Sequence, residues 1–165
     1  MGSLLKGVSS VRWNELRDTR RTSAGGIPPL LSRIAYGGEE TARLAVEELG
    51  DAICALGFVV AEATAPTVPF LVELVGAPRV PCRAELLELL ASIFRAEQWH
   101  SAAAASGSRN TSFQEQPGWE VAARAAVLAG RPIVEGLATS VRPEEAEAAR
   151  ILLRAMDEVE PFPEL

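Results

Sequence analysis

Between Glu39 and Leu56 apolar side chains recur three and four residues apart, at Ala42, Ala45, Val46, Leu49, Ala52, Ile53 and Leu56. Arg43, Glu47, Glu48 and Asp51 fall on the other side, which is the period of an amphipathic helix. Glu39 and Glu40 open it at the positive end of its dipole, and Gly57 is expected to cap it. A second long pattern follows from Arg83, with Leu86, Leu89, Leu90, Ile93 and Phe94 inward and Arg83, Glu85 and Glu88 toward water. Before it stands a shorter apolar helix with Pro66 and Pro69 in its first turn, Thr64 or Thr67 as cap, and a Gly76-Ala77-Pro78 break. Two helices joined by so tight a turn pack antiparallel.

The same arrangement occurs upstream. Ile27-Pro28-Pro29-Leu30-Leu31 matches Val68-Pro69-Phe70-Leu71-Val72, 41 residues further on. Each motif precedes a break and a longer acidic helix. A two-helix period near forty residues is the size of a HEAT or armadillo unit. The remainder is less regular. Val11 to Arg21 is read as a helix carrying Trp13 and Leu16, ended by Gly25 and Gly26. Phe58-Val59-Val60-Ala61 is read as a packed connector, because no partner strand is evident. From Ser101 to Gln116 the apolar stripe fails, predicting a loop that stays mobile without a ligand. Helical pattern returns after Pro117-Gly118-Trp119, with Val121, Ala122, Ala125, Ala126 and Leu128 as its inward stripe up to Gly130. Arg131 to Leu137 makes a third short helix. Pro143 starts the last long one, with Ala146, Ala149, Leu153 and Met156 inward, and the tail Glu160-Pro161-Phe162-Pro163 cannot extend it.

The run from Leu56 to Leu74, with Gly57-Phe58-Val59-Val60-Ala61 leading into Ala65-Pro66-Thr67-Val68-Pro69-Phe70, resembles the core phrase of small bacterial HEAT-repeat proteins of the actinobacterial sort. The resemblance covers residues 11 to 160, with 101–116 as an insertion. It implies an all-α chain of a single domain over 1–165, a short right-handed α-solenoid of helical hairpins. It also implies a concave surface for partners, although some HEAT-like folds, among them DNA glycosylases and bilin lyases, are enzymes. Fold alone does not choose between these.

Composition narrows the choice. The chain has 165 residues, 48% of them hydrophobic, and a formal net charge of −6. Lys6 is its one lysine. A phosphate-tracking surface needs clustered cations, so nucleic acid is not expected as a partner. Protein partners, basic or neutral ones especially, and small apolar molecules are. No apolar run reaches membrane-spanning length and no signal peptide opens the chain, which predicts a cytoplasmic protein without membrane association. Cys54 and Cys82 lie within apolar helical patterns and are expected as buried reduced thiols. Asn110-Thr111-Ser112 matches a glycosylation sequon without a secretory route to use it.

Candidate chemistry is sparse. No catalytic triad, P-loop, dinucleotide fingerprint or zinc ligand set occurs, and neither a cofactor nor a metal is expected. His100, the single histidine, is read as a solvated helix-end residue or as a general acid–base at a pocket mouth, with Glu97 nearby. Glu62 sits in an apolar connector and needs a cation such as Arg33, or a ligand, to satisfy it. His100 and Glu62 are therefore the candidate catalytic residues. Trp99 and Trp119 bracket the variable loop as packing or as pocket walls, and Phe113 is the loop's one large apolar group. Those three, with Arg33 and Tyr36, are the candidate ligand-binding residues. The acidic face of Glu39, Glu40, Glu47, Glu48 and Asp51 is solvated surface or a contact for a basic partner. The leading expectation is a binding protein, an adaptor or an immunity-type plug. The alternative is a small enzyme of specialised metabolism holding an apolar substrate near Trp99, His100 and Trp119.

Overall fold

The computed structural model of the chain describes residues 4–106 and 115–163. Eight helices make up most of these: α1 (Ile27–Tyr36), α2 (Glu39–Ile53), α3 (Thr64–Val75), α4 (Arg83–Arg95), α5 (Gln98–Ser106), α6 (Gln116–Ala129), α7 (Arg131–Leu137) and α8 (Pro143–Glu158). Two two-residue strands, β1 (Cys54–Ala55) and β2 (Val59–Val60), pair antiparallel between α2 and α3. Among the described residues the fold is all-α apart from this small hairpin and one isolated bridge, Arg17 to Ser23. No helix among the described residues is long and apolar enough to cross a membrane.

Helix α1 lies against α2 and α3, α3 against α4 and α7, and α4 against α2 and, most extensively, α8. One contiguous core runs through these contacts, with Leu31, Ile34, Leu49, Leu71, Leu74, Leu86, Leu87, Leu90, Phe94 and Leu152 fully buried. The α2 stripe is buried as its period predicts from Ala42 to Ile53. Cys54 is buried and Cys82 half-buried, both as free thiols.

Several expectations give way to tertiary constraints. Residues 11–21 do not form a helix: a single 3-10 turn, Trp13–Glu15, is followed by extended chain bridging Arg17 to Ser23. Asp18 explains this, because its carboxylate accepts the N–H groups of Arg20 and Thr22 and so favours a turn over a helix. Helix α2 stops at Ile53, and Leu56, expected on its inward face, sits at the hairpin tip 83% exposed. Leu56 (φ 58°) and Gly57 (φ 83°) are both left-handed there, so Gly57 serves the hairpin turn rather than the helix. The connector after Phe58 is thus strand β2, whose partner is the last two residues before the turn. Helix α3 starts at Thr64, which places Pro69 inside it rather than in its first turn.

Ser101 to Ser106 continue α5 as helix, as four consecutive alanines favour. Gln116 likewise begins α6, and the rest of the stretch expected to be a mobile loop, residues 107–114 with Phe113, lies outside the described residues. Arg83 does not face water: its side chain is 12% exposed and meets Glu145 of α8 at 2.8 Å. Ser140 Oγ donates to the same Glu145 carboxylate and Arg83 also donates to the Val75 carbonyl, so this buried ion pair is satisfied on both sides. Helix α6 departs furthest. Its buried side is Pro117, Glu120, Ala123, Arg124 and Val127, while Val121 (49%) and Leu128 (40%) of the expected inward stripe are exposed.

Candidate functional site

A cleft of about 480 Å³ opens where four segments meet: the N-terminal loop, strand β2, the start of α5 and the start of α6. That size lies within the ~300–1,000 Å³ typical of ligand pockets. Each wall is fixed by contacts distant in sequence. The N-terminal loop is held across α2 and α3: Thr19 donates from its N–H to the Ala52 carbonyl and from its hydroxyl to the Asp51 carbonyl, which caps the end of α2. The Ala63 N–H donates to the Arg17 carbonyl, and the Arg17 N–H donates to Glu62 Oε1 at 3.0 Å. Glu62 is half-buried on the cleft side and is satisfied on one oxygen by this backbone N–H. Arg33, the cation expected beside it, is exposed on α1 and does not line the cleft.

The opposite wall is aromatic. Trp99 and Trp119 meet edge to face, centroids 6.1 Å apart at 89°. The Trp99 indole N–H donates to the Val60 carbonyl at 2.8 Å, joining α5 to β2. Val59, Val60 and Ala61 supply the apolar floor, and Arg17, Arg21 and Glu115 the charged rim.

Behind this wall lies a buried polar cluster. Glu120, 1% exposed, accepts the N–H groups of Trp99 and His100, both at 2.9 Å. Those are first-turn donors of α5 that no helical carbonyl can satisfy, so a carboxylate from α6 caps α5. The same Oε1 lies 2.7 Å from His100 Nδ1. The His100 ring stacks on Phe162 at 3.9 Å, and Arg124 places its guanidinium 3.5 Å from the centre of the Phe162 ring. Arg124 also donates to the carbonyls of Phe94 and Glu160. Burial lowers its pKa from the ordinary value, with Glu97 and Glu120 opposing that shift. The tail thus straps α5 to α6 by one aromatic ring held between a histidine and an arginine.

Of the candidates read from the sequence, Glu62, Trp99 and Trp119 share the cleft. His100 is 7% exposed in the cluster behind it, and its neighbour is Glu120 rather than Glu97. Tyr36 is exposed on α1, where its hydroxyl donates to the Leu4 carbonyl. Phe113 lies outside the described residues. Nothing in the sequence pattern marks Arg17, Arg21, Val59 and Val60 as cleft residues, because the pattern predicts a helix where the loop runs and a connector where the strand lies. No group of His, Cys, Asp and Glu among the described residues could hold a metal ion. No protein-family model, no curated protein and no solved structure matches the chain.

Proposed function

We propose that the protein is a binding module of HEAT type, an adaptor or immunity-type protein, whose cleft between β2 and the α5–α6 pair receives part of a protein partner. The cleft itself carries this reading: two tryptophans, an apolar floor and a mixed-charge rim converge there from four segments. The order of helix contacts supports the repeat reading. First helices α1, α3 and α7 neighbour one another in turn, and so do second helices α2, α4 and α8, as successive hairpins of a solenoid would. Helices α5 and α6 are then an insertion between the second and third hairpins, with α6 packed on α3 and α4 and α5 on α6. The enzyme reading has less support, because His100 is occupied by Glu120 and Phe162 and is not among the residues lining the cleft.

The test is native capture of a partner by the wild-type chain and by Val59→Arg. Val59 is half-buried on the cleft floor, so an arginine there fills the cleft without entering the core. A partner held by wild type and released by Val59→Arg, with unchanged circular dichroism, is the expected result. Equal capture by both would sink the reading.

A further inference from the structure

The lining of the cleft defines a class of occupant more closely than its shape does; the inference rests on the cleft being the binding site. The Val60 carbonyl faces α5, where Trp99 donates to it. That carbonyl is thus taken and Val60 is 1% exposed, so the cleft offers an occupant its side-chain lining rather than a strand edge. Glu62 adds a charge: Oε1 accepts the Arg17 N–H, and Oε2 has no hydrogen bond among the described residues. This half-buried carboxylate shares the cleft with two aromatic side chains, a combination suited to a guanidinium or ammonium group.

We infer that the cleft binds a peptide segment whose cationic side chain, arginine above all, reaches the second oxygen of Glu62 in the space that Trp99 and Trp119 wall. Arg17 and Arg21 do not oppose this. Both are exposed at the rim, and Arg17 Nη1 donates to the Arg21 carbonyl, so they stand where a peptide's carbonyls or acidic flanks would pass. The formal charge of −6 over the whole chain favours a cationic occupant at long range.

The probes are acetyl-Val-Arg-Val-amide and acetyl-Val-Glu-Val-amide, titrated into the full chain while the tryptophan indole N–H signals are followed by NMR. Trp119→Phe identifies the Trp119 signal. The arginine peptide is expected to shift that signal and to bind at least tenfold more tightly than the glutamate peptide. Glu62→Gln keeps an oxygen for the Arg17 N–H and is expected to weaken the arginine peptide at least fivefold, while Glu47→Gln, on the exposed face of α2, leaves it unchanged. Equal affinity for the two peptides, or an unchanged affinity in Glu62→Gln, overturns the cation assignment; it leaves the cleft as the binding site provided Val59→Arg still abolishes the shifts. Binding that survives Val59→Arg, or no shift at several millimolar peptide, overturns the inference altogether. Partner capture remains the separate readout for the cleft's role.

Discussion

Helices α4 and α6 are close in length, pack on each other and solve burial in opposite ways. Helix α4 turns Leu86, Leu87, Leu90, Ile93 and Phe94 inward, keeps Glu85, Glu88 and Arg95 in water and tucks in one charge only, Arg83 at its first residue, against Glu145. Helix α6 buries its only two charges, Glu120 and Arg124, and leaves Val121, Ala122, Ala125 and Leu128 on its outer side. Burying an unpaired charge costs far more than exposing a valine, so α6 is tolerable only because its charges find partners. Glu120 has the N-terminal N–H groups of α5 and the His100 ring; Arg124 has two carbonyls and a phenylalanine face. The core of α1–α4 and α8 is held mainly by buried apolar area, with one buried ion pair, Arg83–Glu145. The α5–α6–tail region is held by a few directional contacts, and each of them matters.

The largest effect should come from placing a charge in the first kind of region. Leu49 is fully buried on α2, within the apolar core. Leu49→Asp is expected to cost several kcal/mol, comparable to the whole stability of a small domain, and to abolish cooperative thermal unfolding. A melting temperature within a few degrees of wild type would mean α2 does not pack on α1 and α4 as described.

Next in size is removal of a partner in the second region. Glu120→Ala strips the cap from α5 and leaves two N–H groups and a buried histidine without their acceptor. A loss of about 2–4 kcal/mol follows from orphaned buried donors, and hydrogen exchange at Trp99 and His100 should accelerate well before that of α4. Exchange rising equally in α4 and α5 would show that the two regions unfold as one. A smaller effect, about 1–2 kcal/mol, is expected for Phe162→Ala, which removes one stacking and one cation–π contact from an exposed-edge strap. The change should be visible as altered Trp99 fluorescence.

Alkaline pH probes the first region at two depths. Burial pushes the Cys54 thiol up to about 11 from the ordinary 9.0. The unfolded chain would ionise near 9, so the folded state is favoured fully below pH 9 by this group and loses that advantage as pH rises to about 11, on the order of 3 kcal/mol in all. Cys82, less buried, is also raised, first by burial and then by Glu85. At pH 8 iodoacetamide should therefore label Cys82 slowly and Cys54 only upon unfolding. Equal labelling would place β1 outside the core.

Much of the first region was legible in the sequence because its physics is periodic. The α2 stripe and the starts of α7 and α8 follow from the spacing of apolar residues and from Pro132 and Pro143 in first turns. The second region was not legible, because a hydrophobic stripe names the buried face only when burial is apolar. On α6 the stripe at Val121, Ala125 and Leu128 pointed outward, and no periodicity announces that Glu120 will cap a helix 20 residues away. The cleft suffered the same way: Trp99, Trp119 and Glu62 stood out by type, but Arg17 and Val60 join them only through contacts 45 and 39 residues long in sequence. A two-residue strand such as β2 is too short for alternation to register.

The smallest effect tests the inversion itself. Val121 is 49% exposed on the outer side of α6. In a helix of ordinary polarity, a glutamate at the centre of the apolar stripe would be as damaging as Leu49→Asp. Here the new carboxylate enters water, lies on a side that holds no other charge of α6, and exchanges an exposed apolar surface for a polar one. Val121→Glu should accordingly change stability by no more than about 0.5 kcal/mol, the range of surface substitutions. The measurement is thermal unfolding at two protein concentrations a hundredfold apart. A loss above about 2 kcal/mol that is independent of concentration would mean α6 is rotated from the orientation described, with Glu120 and Arg124 outside. A loss that grows with concentration would mean a second copy covers this side in wild type, since only an association that the glutamate breaks makes the difference between the two proteins depend on dilution.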